Sequence, residues 1–184
     1  MPTFFIVHGA YGNPEGNWFP WLKEELEKLD CRVFVPKFPT PEGQNLDNWL
    51  VVAEEYVHYF DENTFFVGHS IAPAFLLSLL EKLQIPIKAG FFVSGFLDNI
   101  NNPTFDTINK TFYRKFDWKK IKRSCKKFYV FHSDNDPYVP LNKGKELARR
   151  LETDPIIVKG GGHLNAESGY YKFNLLLEKI KSEL

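Results

Sequence analysis

TFFVGHSIA, residues 64–72, leads from an apolar run through a glycine to a serine. Thr64 to Val67 is short and rich in aromatic side chains, which is typical of a buried strand. Ala74 to Leu83 follows as a largely apolar run and predicts a buried helix. Strand, sharp turn, serine and helix in succession form a nucleophile elbow, in which the strained turn lifts the serine hydroxyl clear of the sheet. Ser70 is therefore the candidate nucleophile.

The sequence departs from the elbow pattern G-x-S-x-G by one added methyl group. Gly68 occupies the first small position, and Ala72 stands where the second glycine would be. The N–H of Ile71, at the start of the helix, is a candidate oxyanion donor, favoured by the helix dipole. An ordinary serine N-cap after a strand would give the same pentapeptide. The pentapeptide alone leaves both interpretations open.

The rest of the chain alternates between strand and helix patterns. Apolar runs of strand length cover residues 3–8, 32–35, 64–67, 87–93, 128–132 and 156–159. Helical spacing of apolar residues covers 18–29, 46–60, 74–83, 143–151 and 173–184. This alternation predicts an α/β fold, a three-layer α/β/α sandwich around a six-stranded parallel sheet. With no repeat, low-complexity tract or long linker, we expect a single domain, residues 1–184.

Two further residues whose side chains could take part in catalysis follow strands of this sheet. Asp136 comes after the fifth run, and His163 comes after the sixth, preceded by three glycines. Ligands of parallel sheets bind outside the carboxyl ends of the strands, and the chain order Ser, Asp, His is that of α/β-hydrolases. Asp134 competes for the role of the acid. Asp136 is preferred because D-x-x-V-P places its carboxylate at a turn before a helix that starts at Pro140.

The loop after the first strand, His8-Gly9-Ala10-Tyr11-Gly12, is the second candidate source of an oxyanion donor. The N–H of Ala10 is our choice, and His8 is expected to be structural. The candidates for the substrate pocket are Tyr11, Trp18 and Phe96. Trp21 is expected in the core.

Composition excludes several classes of protein. Apolar residues make up 43% of the chain and aromatic residues 16%, so the chain can form a core and is not a disordered protein. No apolar run has the length of a membrane span, and no signal-peptide pattern occurs, so we expect no membrane association and a cytoplasmic location. Metal-ligand spacing and phosphate-binding glycine motifs are absent, so no metal and no cofactor are expected. The two cysteines do not make a disulfide framework.

The balanced charge, 23 basic against 23 acidic residues, conceals a basic segment, residues 110–127. It contains nine Lys or Arg residues and a single acidic residue, Asp117, interleaved with aromatic residues. Such a pattern is compatible with a surface that binds nucleic acid, which is the disfavoured interpretation. It is also compatible with electrostatic steering of an acidic substrate or of a protein partner. The favoured interpretation is an excursion whose aromatic residues pack beside the mouth of the active site and whose lysines are solvated.

Six short motifs together resemble the small α/β-hydrolases of the retinoblastoma-binding-protein-nine type, to which the YdeN-like bacterial proteins belong. The motifs are His8-Gly9, NWFPWL at residues 17–22, Gly68-His69-Ser70, Val93-Ser94-Gly95-Phe96, Asp136-x-x-Val139-Pro140 and Gly161-Gly162-His163. The resemblance covers nearly the whole chain, with Ala72 as its departure. It implies a compact serine hydrolase with a minimal cap, in which Ser70 is the nucleophile, Asp136 the acid and His163 the base.

The expected function is hydrolysis of small carboxylic esters, with amides as the second choice, through a Ser-His-Asp triad and an acyl-enzyme. The expected partner is a small-molecule ester. The alternative from another class is a non-catalytic module that keeps the hydrolase fold and binds a protein partner through the basic segment.

Overall fold

The computed structural model describes all residues, 1–184, and contains one parallel sheet of six strands in the order β2-β1-β3-β4-β5-β6. The strands are β1 (Thr3–Val7), β2 (Arg32–Phe34), β3 (Thr64–His69), β4 (Ala89–Val93), β5 (Phe128–Ser133) and β6 (Pro155–Val158). Every neighbouring pair is parallel. The predicted six-stranded parallel sheet is confirmed.

Seven α-helices surround the sheet. They are α1 (Phe19–Glu27), α2 (Leu46–Glu54), α3 (Ala72–Leu80), α4 (Pro103–Asn109), α5 (Trp118–Ser124), α6 (Leu141–Arg150) and α7 (Asn174–Lys181). Short 3-10 helices cover Val57–Tyr59, Lys110–Phe112 and Ala166–Ser168. The sequence pattern did not predict α4 or α5, and the helix predicted over 46–60 ends at Glu54.

The two faces of the sheet carry separate apolar layers, because successive side chains of a strand point to opposite faces. Phe5 and Val7 of β1 face the layer that includes α2, α3 and α6. Phe4 and Ile6 face the layer that includes α1 and α7. All four side chains are fully buried, as expected for strands of a parallel sheet covered on both faces.

The strand order places a crevice between the carboxyl ends of β1 and β3. The chain leaves β1 towards β2 on one side, whereas β3 lies on the other side of β1 and leads towards β4. The connections after β1 and β3 therefore diverge, which opens space for a ligand at this switch point. Ser70 follows β3 at this position.

The basic segment, residues 110–127, lies only partly where the sequence analysis expected it. Tyr113 packs near Phe96, with 6.3 Å between ring centroids. Phe112 and Phe116, in contrast, are buried in the core, and the segment continues to the amino end of β5, the end opposite the crevice. The expectation that its aromatic residues flank the site is wrong for these two phenylalanines, because they pack into the apolar layer that includes α2 and α3.

Four of the nine basic residues in this segment form ion pairs with carboxylates elsewhere in the chain. The pairs are Arg114–Glu81, Lys122–Glu152, Lys126–Glu62 and Lys127–Glu183. Their positive charge is thus partly neutralised within the fold. None of the helices has both the length and the apolar character that crossing a bilayer would require.

Candidate active site

The backbone at Ser70 has the strained conformation that an elbow requires. Its φ angle is +63°, a value that side-chain-bearing residues rarely adopt. The N–H of Ser70 donates to the carbonyl of Val93 at 2.9 Å, which ties the turn to the end of β4. The side chain is half-buried and lines a cavity at the carboxyl end of the sheet. The strain at Ser70 therefore directs its hydroxyl into a space that a ligand can enter.

Glycines permit the close approach of the segments around this turn. A Cβ atom on Gly68 would lie 2.7 Å from Cδ1 of Leu76 in α3, so strand and helix could not pack as they do. A Cβ atom on Gly9 would lie 2.7 Å from Cβ of Ser70. Ala72, the departure from the elbow pattern, is the first residue of α3 and is fully buried. The turn forms with alanine at this position.

His163 is held at the same cavity through its ring and through its backbone. Its Nδ1 lies 2.8 Å from Oδ2 of Asp136. Its carbonyl accepts hydrogen bonds from Nε2 of His69 at 2.9 Å and from Oγ of Ser94 at 3.1 Å. Its N–H donates to Oγ of Ser168 at 3.1 Å. The ends of β3 and β4 thus anchor the loop that carries the imidazole.

Asp136 is surrounded by hydrogen-bond donors. Its Oδ1 accepts from the N–H groups of Tyr138 and Val139, each at 2.9 Å, while Oδ2 faces His163. Burial by itself would raise the pKa of this carboxyl group, but the bond from His163 and the two backbone N–H groups outweigh it and hold the pKa below its ordinary value. His132 supports the same turn, since its Nε2 donates to the carbonyl of Val139 at 2.9 Å. Asp136 is therefore a fixed anion beside the imidazole.

The sequence favoured Asp136 over its competitor Asp134, and in the structure the two acids make different contacts. Oδ1 of Asp134 accepts the N–H of Gly160 at 2.8 Å, and Oδ1 of the intervening Asn135 accepts the N–H of Gly162 at 2.8 Å. Three consecutive side chains after β5 therefore hold the glycine loop. Of the two acids, Asp136 is the one that contacts the imidazole of His163.

The buried histidines near the cavity take part in the fold as neutral groups. Nδ1 of His8 donates to the carbonyl of Gly9 at 2.8 Å, and its Nε2 accepts the N–H of Phe38 at 3.0 Å, so only one ring nitrogen carries a proton. Burial lowers the pKa of His8. Burial, reinforced by repulsion from His163, lowers the pKa of His69 to about 3. Neither ring adds a positive charge to the site at neutral pH.

The cavity in front of Ser70 has a volume of about 270 Å³. Ala10, Ser70 and His163 line it together. The N–H groups of Ala10 and Ile71 donate to no acceptor within the protein. No group of three His, Cys, Asp or Glu side chains is placed to bind a metal ion.

Of the three predicted pocket residues, Tyr11 and Phe96 line the cavity, but Trp18 does not. Trp18 is fully buried, and its indole N–H donates to the carbonyl of Leu164 at 2.9 Å. Its ring packs against Phe19 and Phe173 in the layer between the sheet and α1 and α7. The prediction for Trp18 is therefore wrong, because the carbonyl of Leu164 satisfies its indole N–H inside the core. Trp21, predicted for the core, is only partly buried.

Several residues of the cavity were not predicted from the sequence. Ile100 and Phe105 come from the excursion between β4 and β5, where no local pattern indicated a cap. Tyr138 lies inside the D-x-x-V-P motif, and its position beside Asp136 could have suggested it. Asn165 and Glu167 follow His163 by two and four residues. Their proximity to the predicted base was the available signal.

Comparison with known proteins shows the family of this chain. A family model for serine hydrolases matches residues 4–182. The YdeN protein of Bacillus subtilis is 31% identical over 180 residues, which cover 97% of this chain and 94% of that protein. Serine hydrolase RBBP9 of Rattus norvegicus is 27% identical over 169 residues, which cover 91% of this chain and 86% of that protein.

Solved structures show the same fold. The crystal structure of the ydeN gene product of B. subtilis superposes with a TM-score of 0.93 at 29% identity, covering 100% of this chain and 98% of that one. Est1E from Butyrivibrio proteoclasticus superposes with a TM-score of 0.72 at 16% identity, covering 98% and 86%, a likeness of fold alone. This chain, with its Ser70 elbow at the crevice of a parallel sheet, belongs to the serine hydrolase family and has the α/β-hydrolase fold.

Proposed function

We propose that the protein hydrolyses small carboxylic esters through a catalytic triad of Ser70, His163 and Asp136. One observation carries this proposal: the 2.8 Å contact between Asp136 and His163 lies at the cavity into which the strained turn directs Ser70. A serine hydroxyl is a weak nucleophile unless a base accepts its proton, and the base needs a partner that holds its orientation. Ser70, His163 and Asp136 come from three different strand ends and supply the hydroxyl, the imidazole and the carboxylate for these roles.

In the first step, Nε2 of His163 accepts the hydroxyl proton of Ser70 as Oγ attacks the ester carbonyl. Asp136 holds the proton on Nδ1, which leaves Nε2 free to act as the base, and stabilises the imidazolium that forms. The lowered pKa of Asp136 keeps its carboxylate ionised for this role. Oγ forms a bond to the carbonyl carbon, and the carbonyl oxygen becomes an oxyanion.

The N–H groups of Ala10 and Ile71 are the donors that we assign to this oxyanion. Both lack an acceptor within the protein, and Ile71 directly precedes α3, whose N-terminal end carries partial positive charge. Donors that are already oriented stabilise charge as it develops, with a contribution of about 3–4 kcal/mol for each donor.

Collapse of the tetrahedral intermediate breaks the bond between the carbonyl carbon and the leaving oxygen. The imidazolium of His163 gives its proton to that oxygen, the alcohol leaves, and the acyl group stays on Ser70. His163 then accepts a proton from water as the water attacks the acyl carbon. The bond between that carbon and Oγ of Ser70 breaks, the imidazolium returns its proton to Oγ, and a carboxylic acid is released. Alcohols leave more readily than amines, which favours esters over amides.

The cavity favours a small acyl group. Tyr11, Phe96, Ile100 and Phe105 contribute apolar surface to its wall, and its volume is about 270 Å³. Hydrolysis of p-nitrophenyl esters of increasing chain length should therefore peak at short chains. Parallel assays with the matching p-nitroanilides compare esters with amides.

Labelling by a fluorophosphonate probe tests the proposal most directly. Wild type should label, and Ser70→Ala should not, because the phosphorus atom reacts with an activated serine oxygen. Ser182→Ala is the matched control, since Ser182 is exposed at the end of α7, where its Oγ donates to the carbonyl of Lys179. Equal weak labelling of wild type and Ser70→Ala would refute the triad. The alternative, a non-catalytic module that binds a protein through the basic segment, would then be favoured.

A further inference from the structure

One end of the cavity is lined by three asparagines that share the same arrangement. Oδ1 of Asn13, of Asn17 and of Asn165 each accepts a backbone N–H, at 3.0, 2.9 and 3.1 Å respectively. The N–H groups belong to Glu15, Ala166 and Ser168. A backbone N–H can only donate, so the accepting atom must be the amide oxygen. The orientation of all three amides is therefore determined.

The amide nitrogens of these three residues donate to no protein acceptor. Each leaves two N–H donors at this end of the cavity. Beside them lies Glu167, an exposed carboxylate whose Oε2 accepts the hydroxyl of Tyr138 at 2.7 Å. No Lys or Arg lines the cavity. This polar end, defined by Asn13, Asn17, Asn165 and Glu167, therefore combines fixed donors with one anionic acceptor.

This combination discriminates between classes of ligand group. An anionic group would bind the amides but would be repelled by Glu167, with no cation to compensate. An ammonium group would pair with Glu167 but would find only donors on the asparagines. An apolar group would remove all of these groups from water without replacing their hydrogen bonds. Hydroxyl groups both accept and donate, so several of them on one ligand satisfy the amides and the carboxylate together.

The polar end is connected to the loop that carries His163, the proposed proton donor to a leaving alcohol. Asn165 and Glu167 belong to the loop that carries His163, and Asn17 is bonded to that loop through the N–H of Ala166. In acyl transfer the imidazolium gives its proton to the leaving group, so residues beside this histidine contact the alcohol portion of an ester. Tyr138 links His163 to the polar end. The centroid of its ring lies 5.2 Å from that of the His163 ring, and its hydroxyl donates to Glu167.

We propose that the polar end binds the alcohol portion of the substrate and selects esters of polyhydroxylated alcohols, such as glycerol or a sugar. The proposal rests on the ester hydrolysis proposed above. The apolar wall near Phe96 and Phe105 receives the acyl group, and the polar end receives the polyol.

Two esters of the same acid test this directly: glycerol monobutyrate and propyl butyrate. They share the acyl group and the three-carbon alcohol, and they differ by two hydroxyl groups. Wild type should hydrolyse the glycerol ester with a kcat/KM about thirtyfold higher, as expected from two net hydrogen bonds of about 1 kcal/mol each. In Asn17→Asp, the acceptor for the N–H of Ala166 is kept and the free amide donor becomes an acceptor, so this ratio should fall about threefold or more.

Asn45→Asp is the matched control. Oδ1 of Asn45 caps α2 by accepting the N–H of Asn48 at 2.8 Å, and the residue lies outside the cavity. The same isosteric change and the same added charge should leave the ratio of the two kcat/KM values unchanged. If Asn17→Asp fails to fold, Glu167→Gln decides, because it keeps an acceptor for the hydroxyl of Tyr138 and removes the charge. Its ratio should fall about threefold.

The outcomes separate this inference from the proposed function. Equal kcat/KM values for the two esters in wild type, or an unchanged ratio in the folded variants, overturn the polyol subsite and leave ester hydrolysis standing. Hydrolysis of neither ester, or hydrolysis that persists in Ser70→Ala, overturns the proposed function instead.

Discussion

Asp136→Asn tests the proposed mechanism at the atom on which it depends most. In the wild type, Oδ1 accepts two backbone N–H groups and Oδ2 faces Nδ1 of His163. The asparagine can keep both backbone bonds only by placing its oxygen at the Oδ1 position. Its NH₂ group then faces Nδ1, which must accept a proton. The imidazole is thereby forced to carry its proton on Nε2, where it can no longer accept one from Ser70.

The structure sets the size of this effect. Reversing the amide would lose the bonds to Tyr138 and Val139, at about 1 kcal/mol each. The unproductive orientation is therefore favoured by about 2 kcal/mol, which alone lowers the productive fraction about thirtyfold. Loss of the anion that stabilises the imidazolium adds to this, and the same change in a Ser-His-Asp protease lowers kcat about 10⁴-fold. We expect a loss of kcat between these limits.

The assay is kcat for p-nitrophenyl acetate at pH 7.5, with near-UV circular dichroism as the check on folding. Asp134→Asn is the matched control, because an asparagine oxygen at this position still accepts the N–H of Gly160. Its activity should stay within about threefold of wild type. Activity of Asp136→Asn within tenfold of wild type, or an equal loss in Asp134→Asn, would refute the reasoning.

Three further predictions follow from the geometry. Ser70→Ala should lower turnover about a million-fold; a residual rate within a thousandfold of wild type would contradict its role. Gly9→Ala should lower kcat about a hundredfold with an unchanged circular dichroism spectrum, because the new Cβ would lie 2.7 Å from Cβ of Ser70 and displace it. Burial lowers the pKa of His8, His69 and His132, so the unfolded chain binds more protons and stability should fall as the pH decreases below about 6.5. The pKa of His69 falls from 6.5 to about 3, so this residue alone should lower the free energy of unfolding by about 1.4 kcal/mol for each pH unit between those two values. Equal urea midpoints at pH 7.5 and 5.0 would contradict this prediction.

The six strands were predictable because each is a short apolar run whose signal is local. Buried parallel strands need apolar residues on both faces, and a run such as residues 64–67 carries that requirement in its own composition. Helices α4 and α5 were not predictable in the same way. Pro103–Asn109 and Trp118–Ser124 are seven residues each, too short for a helical pattern to emerge, and packing against the rest of the chain stabilises them.

At the candidate site, the positions of Ser70, Asp136 and His163 after three strands follow from local patterns combined with the rule for parallel sheets. The D-x-x-V-P pattern favoured Asp136 over Asp134, but no local pattern specifies the contact with His163 itself. Both acids come after the same strand, and the approach of the glycine loop at residues 160–163 determines which one meets the imidazole.

The sequence by itself determined the succession of strands, turns and reactive residues along the chain. Glycine at a tight turn and apolar runs in buried strands are local requirements, so they can be read from the sequence. The tertiary structure alone decided that Trp18 is a core residue and that Asn17 joins the cavity. Each of these depends on one partner far along the chain, Leu164 for the indole N–H and Ala166 for the amide oxygen. Such partners are brought together by packing of the whole sheet and its helices, and no local propensity specifies them.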